Sequence, residues 1–260
     1  MNDRQSKKPV VVIGVGEMGG VFARGMLRIG HPVFPASRDT DLDQLSQQLP
    51  EPAMVLVAVG EKDLHSTLER IPQGWRDKLA LLQNELLPND WQQHQLSEPT
   101  IISVWFEKKP GQDAKVIIPS PAFGPHAQLL HDALASINIP VAVLNNSEEL
   151  LLELVVKNLY ILTTNIAGLK VGGNVEQLWS EHRSFAENVA GEIIDLQEAI
   201  TGQRFERARL LRKMSEAFAG DPAHGCMGRS APARLERALT NAKQHQLTVV
   251  QLEGIKQLAG

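Results

Sequence analysis

An N-terminal α/β domain followed by an all-helical domain is the fold class that this 260-residue chain predicts. Three observations predict it. Apolar strand-like runs alternate with helical patterns as far as Leu144, a glycine-rich turn joins the first strand to the first helix, and from Ser147 onward every periodic segment is helical. The boundary falls near Asn145-Asn146, giving domains 1–146 and 147–260.

The first element is Val10 to Ile13, an unbroken β-branched run of the kind expected for a parallel strand covered on both faces. Gly14-x-Gly16-x-x-Gly19 follows, with Glu17 and Met18 inside it, and helical spacing begins by Val21. In a dinucleotide site the first glycine permits the turn, the second lets a pyrophosphate approach the backbone, and the third lets the helix pack close to the strand. N–H groups at the helix start then hold the phosphates. The plain alternative is an ordinary strand–helix turn, but the strand before and the helix after favour the nucleotide reading.

Gly30 to Ala36 reads as a turn and second strand, and its prolines require it to be short or near an edge. Ser37-Arg38 at its end supplies a hydroxyl and a guanidinium, which suit the 2′-phosphate of NADP. The alternative is that Arg38 is solvated and that Asp39 or Asp41 takes the ribose. Ala53 to Gly60 is the third strand, a helix runs from about Asp63 to Arg70, and Leu79 to Gln83 is the fourth strand. Open α/β sheets bind ligands beyond the carboxyl ends of their strands, so Val59, Gly60 and Asn84 are candidates for contact with cofactor, and Asn84 also with substrate. Asn84 is equally ordinary as a turn residue. Two further strands are expected at Thr100–Phe106 and Lys115–Ile118. A rigid loop over Pro119–Pro125, a helix from about His126 to Ser136 and a last strand over Pro140–Leu144 complete the domain.

Ser147 to about Gly168 is apolar on most faces and is expected to be the central helix of its domain. Lys157 is the odd residue in it. Either its stem carries the charge out to water or the ammonium faces a polar cleft, where it would polarise a carbonyl and supply a proton. Asn165, eight residues on, lies roughly on the same side. Later helices are expected at about Asn174–Thr201, Phe205–Phe218, Pro232–Gln244 and Val250–Leu258, with a loop over Gly220–Ser230.

Composition sets bounds on function. Apolar residues make up 43% and charged residues 22%, and the formal charge is −4, so nothing global favours nucleic acid or an anionic membrane. The single cysteine, Cys226, excludes an internal disulfide framework; it reads as a small buried residue before a nucleophile. The histidines show no ligand pairing, so no metal is expected. Met1 to Lys8 is polar without a signal-peptide profile and no stretch reads as a membrane span, so a cytoplasmic enzyme is the expectation.

Gly14-x-Gly16-x-Met18-Gly19, Leu82-Gln83-Asn84, Phe123-Gly124-Pro125, and Lys157 with Asn165 together resemble the ketopantoate reductases (2-dehydropantoate 2-reductases). The resemblance spans nearly the whole chain. It implies a Rossmann dinucleotide-binding domain, a helical substrate and dimerisation domain, an active site in the cleft between them, and reduction of a 2-keto acid by NADPH on the way to pantothenate. Carried onto matching positions, Lys157 is the general acid, Asn84 sits between cofactor and substrate, and Asn165 binds substrate. The cofactor set is Gly14, Gly16, Glu17, Met18, Gly19, Ser37, Arg38, Val59, Gly60 and Asn84.

The substrate half departs from the family pattern. Ile161 stands where a second asparagine is usual, Asn84-Glu85 replaces Asn-Gly, and Gly60-Glu61-Lys62 matches the usual lysine only with a shift. Gly225-Cys226-Met227 registers on a serine-containing loop. Arg234 registers on a substrate-binding glutamate, with Glu236 as the alternative. Loss of that glutamate leaves a substrate hydroxyl without its acceptor, at about 1–3 kcal/mol if buried, and Arg234 suits a more acidic substrate. The reading is therefore an NADPH-dependent reductase of a small 2-keto acid, monomeric or homodimeric. Its rivals are an imine reductase of the pyrroline-5-carboxylate reductase type and a non-catalytic NADP-binding sensor or partner protein.

Overall fold

β1 (Val10–Ile13) is flanked on both sides, in register, by β2 (Val33–Ala36) and β3 (Met54–Val57), all parallel. The computed structural model describes residues 7–259, so the expectation drawn from the polar start lies outside it for residues 1–6. Two compact units divide the chain, Met1–Glu153 and Leu154–Gly260.

In the first unit β4 (Leu79–Leu81) and β5 (Thr100–Ile102) continue the parallel sheet beyond β3. A separate hairpin, β6 (Phe106–Glu107) and β7 (Lys115–Val116), pairs only with itself. β8 (Ser120–Phe123), antiparallel to β5, and β9 (Val141–Val143) complete a seven-stranded sheet of order β2-β1-β3-β4-β5-β8-β9. β1, β3, β4 and β5 are buried along their whole length, which is why they read as continuous apolar runs. Around the sheet lie α1 (Glu17–Arg28), α2 (Leu42–Gln48), α3 (Leu64–Glu69), α4 (Pro88–Gln92) and α5 (Ala127–Ala135). α1 packs on α5 so closely that a Cβ on Gly25 would stand 2.6 Å from the Ala133 carbonyl oxygen. As expected, the proline-bearing β2 is short and lies at the sheet edge.

Two expectations are corrected in this unit. Residues 119–125 do not form a loop, because Ser120–Phe123 is a strand inside the main sheet. Pro121 is tolerated there because its backbone faces Ser103, just past the end of β5, and offers only the carbonyl that Ser103 N–H needs (2.9 Å). The Thr100–Phe106 strand is split, and the segment at Lys115 pairs with β6 instead of entering the sheet.

The second unit is helical: all but the first seven residues of α6 (Ser147–Val171), and α7 (Val175–Glu181), α8 (Arg183–Thr201), α9 (Arg207–Gly220), α10 (Ala231–Gln244) and α11 (Val250–Ala259). The single helix expected over 174–201 is broken at His182, whose φ of −123° and ψ of 27° leave the helical region. Neither glycine nor proline marks that break. α6 is also long and apolar enough to cross a membrane, with mean hydropathy 1.4 over an 18-residue window, contrary to the reading that no stretch reaches that length. Burial of 89% of that window inside the fold accounts for its composition. From α6, Asn158 donates to Gln197 of α8 (2.9 Å), the Tyr160 ring meets Phe218 of α9 at 5.5 Å, and Gly168 lies against Cys226. The expected central helix is thus central.

Candidate active site

The strand order reverses at β1, and the glycine turn sits at its carboxyl end, where an open sheet leaves a crevice. Gly14 N–H donates to the Ala36 carbonyl (2.9 Å) and Ala58 N–H to the Ile13 carbonyl (2.7 Å), so the ends of β2 and β3 hold the turn. Gly14 has φ +93°, which strongly favours glycine, and a Cβ there would meet Ala58 O at 2.7 Å. A Cβ on Gly19 would stand 2.0 Å from Gly14 O. Around Gly16, by contrast, nothing among the described residues lies within 4 Å of an added Cβ, and none of their side chains caps the start of α1. Two glycines are thus consumed by packing, and the middle one opens onto space beside free helix-start N–H groups. These residues fit a dinucleotide pyrophosphate.

The neighbouring side chains turn elsewhere. Glu17 opens the first turn of α1, favourable for an anion, and accepts from Lys108 Nζ of the hairpin at 2.8 Å. Met18 packs against the apolar core. A cavity of about 590 Å³ lies between this stretch of α1, the hairpin and the turn before β9, with Gly16, Glu17, Arg24 and Lys108 among its walls.

Beyond β2, Ser37 to Thr40 form a turn closed from Ser37 N–H to Thr40 Oγ1 (2.9 Å) and from Thr40 N–H to Ser37 O (3.2 Å). Arg38 projects from it, its side chain 81% exposed, with Nη2 3.5 Å from Asp63 Oδ2. Arg70, which sequence reasoning passed over, donates to the carbonyls of Arg38 (3.5 Å) and Thr40 (3.2 Å). Asp41 caps α2 by accepting from Gln44 N–H (3.0 Å).

At the ends of β3 and β4, Gln83 is the organising residue and was not anticipated as such. Its side chain is buried, and Nε2 donates to the carbonyls of Val57 (2.7 Å) and Val59 (3.2 Å), joining the two strand ends. Val59 is half-buried; Gly60, which follows it, and Asn84, which follows Gln83, are exposed. Glu85, where the resembled family has glycine, has φ +61° and so keeps the glycine-like turn.

In the second unit Lys157 is 9% exposed, with Nζ 5.8 Å from the centre of the Tyr160 ring. The side chain is thus largely buried, and its ammonium lies within reach of an aromatic face. Asn165 and Arg234, both buried, are brought together although 69 residues apart: Arg234 Nη1 donates to Asn165 Oδ1 at 2.9 Å. Ile161 is also buried. Glu236 points away, in an exposed ion pair with Lys256, so it does not take the place that Arg234 occupies. Among the described residues no group of three or more His, Cys, Asp or Glu could hold a metal ion.

Cys226 is fully buried, and burial pushes its thiol from an ordinary 9.0 up to about 11, the opposite of an activated nucleophile. Between pH 9 and about 11 only the unfolded chain loses this proton, so stability is complete below that window and declines across it. The decline should total about 3 kcal/mol at most. Denaturant unfolding at pH 8 and pH 10.5 should show this loss in the native chain and a smaller one in Cys226→Ala; equal losses would contradict it.

No protein-family model and no curated protein matches the chain. Solved structures do. The 2-dehydropantoate 2-reductase of Methylococcus capsulatus superposes with a TM-score of 0.71 over 96% of this chain and 95% of its own, at 13% identity. A PanE/ApbA family ketopantoate reductase from Ralstonia eutropha gives 0.67 over 96% and 97% at 14% identity. D-mandelate dehydrogenase in complex with NADH gives 0.67 over 96% and 97% at 12% identity. The resemblance read from the sequence is thus a likeness of fold along almost the entire chain, which has the α/β-plus-helical architecture of the ketopantoate reductases.

Proposed function

We propose that this chain is an NADPH-dependent oxidoreductase that reduces the carbonyl of a small 2-keto acid. The observation that carries the reading is the glycine turn at the strand-order reversal, with Gly16 open and the helix start uncapped, in a fold like that of proteins named for 2-dehydropantoate and D-mandelate. When bound, the reduced nicotinamide supplies the hydride. Helix-start N–H groups hold the pyrophosphate, and Ser37 and Arg38 take the 2′-phosphate. Val59, Gly60 and Asn84 border the nicotinamide half.

Lys157 stabilises the negative charge that develops on the substrate oxygen and donates the proton that completes the alcohol. Its enclosure strengthens the electrostatic part of this role, since water screens it less. Arg234, fixed by Asn165, supplies a second cation for the substrate carboxylate. The test is loss of NADPH absorbance with a panel of 2-keto acids that includes ketopantoate. Turnover of at least one supports the reading, and silence across the panel opposes it.

The cofactor has its own test. Arg38→Ala should weaken NADPH by roughly tenfold or more, as expected for a lost charge-assisted contact, and NADH by much less; equal weakening would contradict the 2′-phosphate role. One observation favours a non-catalytic NADP-binding protein instead: the Asn165 side-chain oxygen already accepts from Arg234 at 2.9 Å. Tight NADPH binding with silence on every keto acid would select that reading.

A further inference from the structure

The segment after β3 delivers two opposite charges to the turn that ends β2. Asp63 stands at the N-cap of α3, where an aspartate ordinarily caps the helix with its carboxylate, yet it makes no side-chain cap. Its backbone is fully engaged instead. Asp63 N–H donates to Gly60 O (2.9 Å), and Asp63 O accepts from Ser66 Oγ (3.2 Å) and Thr67 Oγ1 (2.7 Å). This fixes the residue while its carboxylate reaches Arg38 at 3.5 Å. From the other end of α3, Arg70 grips the carbonyls of Arg38 and Thr40 and makes no ion pair among the described residues. The turn and the groups that reach it therefore bring together the guanidinium groups of Arg38 and Arg70 and the carboxylates of Asp39, within the turn, and Asp63.

We propose that Asp63 is a specificity-determining residue that keeps this site open to both NADPH and NADH, a proposal that rests on the dinucleotide reading above. The Arg38–Asp63 pair is long, and its side chains are 81% and 36% exposed, so it holds Arg38 only weakly and releases it to a phosphate. Once Arg38 turns to the 2′-phosphate, the Asp63 carboxylate is left near that dianion and opposes it. With NADH no such repulsion arises, and the carboxylate is an acceptor for a ribose hydroxyl, the role an acidic residue commonly fills in NAD sites. Arg70 holds the turn in one shape for either nucleotide.

Asp63→Asn, which preserves shape and the backbone contacts, is the test. Dissociation constants for NADPH and NADH are measured by fluorescence titration at low and high salt. At low salt the variant should bind NADPH roughly 3- to 5-fold more tightly and NADH no more tightly or several-fold more weakly. The NADPH gain should shrink at high salt, because exposed charges are screened over about a Debye length. Equal shifts for both nucleotides, or no shift in their ratio, would overturn the proposal while leaving the dinucleotide site intact. Failure of the native chain to bind either nucleotide would overturn both. A purely structural role for Asp63 would change unfolding temperature and not the ratio.

Discussion

Replacing Gly19 by alanine should destabilise the N-terminal unit by about 3 kcal/mol or more, while Gly16→Ala should leave stability within ~1 kcal/mol and yet weaken nucleotide binding at least tenfold. The asymmetry follows from what each methyl would meet. At Gly19 it would lie 2.0 Å from the Gly14 carbonyl oxygen, a backbone atom held by a turn that is itself tied to β2 and β3. No rotamer change relieves that overlap, so α1 must move off the sheet or the turn must open. At Gly16 the methyl meets nothing within 4 Å, and the backbone φ of −72° suits alanine. It would fill the space through which a pyrophosphate reaches the helix-start N–H groups. Thermal unfolding and NADPH titration of the two variants separate the effects. Equal destabilisation, or a Gly16→Ala protein with native nucleotide affinity, would contradict this account of the turn.

Lys157→Met should lower kcat by roughly 10²- to 10⁴-fold, the range for loss of a positioned proton donor, with NADPH affinity unchanged. Methionine fills much of the lysine volume and tolerates irregular surroundings, so the buried helix keeps its packing while the charge is removed. Lys157 is only 9% exposed and borders the Tyr160 ring, so alanine would mix a cavity cost with the loss of charge. Wild-type turnover by a folded Lys157→Met protein would remove Lys157 from the chemistry.

The parts of this molecule legible in the sequence are those whose cause is local. Val10–Ile13 reads as a buried strand because it is buried on both faces, and the glycine spacing reads as a turn because Gly14 has a positive φ and Gly19 meets the Gly14 carbonyl five residues before it. α6 was legible for the same reason, although its apolar length alone did not tell a central helix from a membrane span. β8 was missed because Pro119 and Pro121 carry a strong loop signal, and only the antiparallel neighbour at Ser103 shows why a proline is tolerated there. The break at His182 has no glycine or proline to announce it.

Within the candidate site the hidden contributions are long-range. Arg70 reaches the turn after β2 across 32 and 30 residues, Lys108 reaches Glu17 across 91, and Arg234 reaches Asn165 across 69. No periodicity encodes such pairings, because they depend on which strands become neighbours in the sheet or which helices pack together. Gln83 was visible only as part of a motif. Its bonds to the carbonyls of Val57 and Val59 depend on β4 pairing with β3.

The central claim is that this chain passes hydride from a nicotinamide to the 2-carbon of a keto acid. Its most direct test is isotope transfer: NADPH deuterated on one or the other face of the nicotinamide C4 is incubated with protein and the 2-keto acid panel, and the 2-hydroxy acids are examined by mass spectrometry. One labelled form should give product carrying a single deuterium at C2, and the other unlabelled product. NADPH bound without any labelled product would contradict the claim.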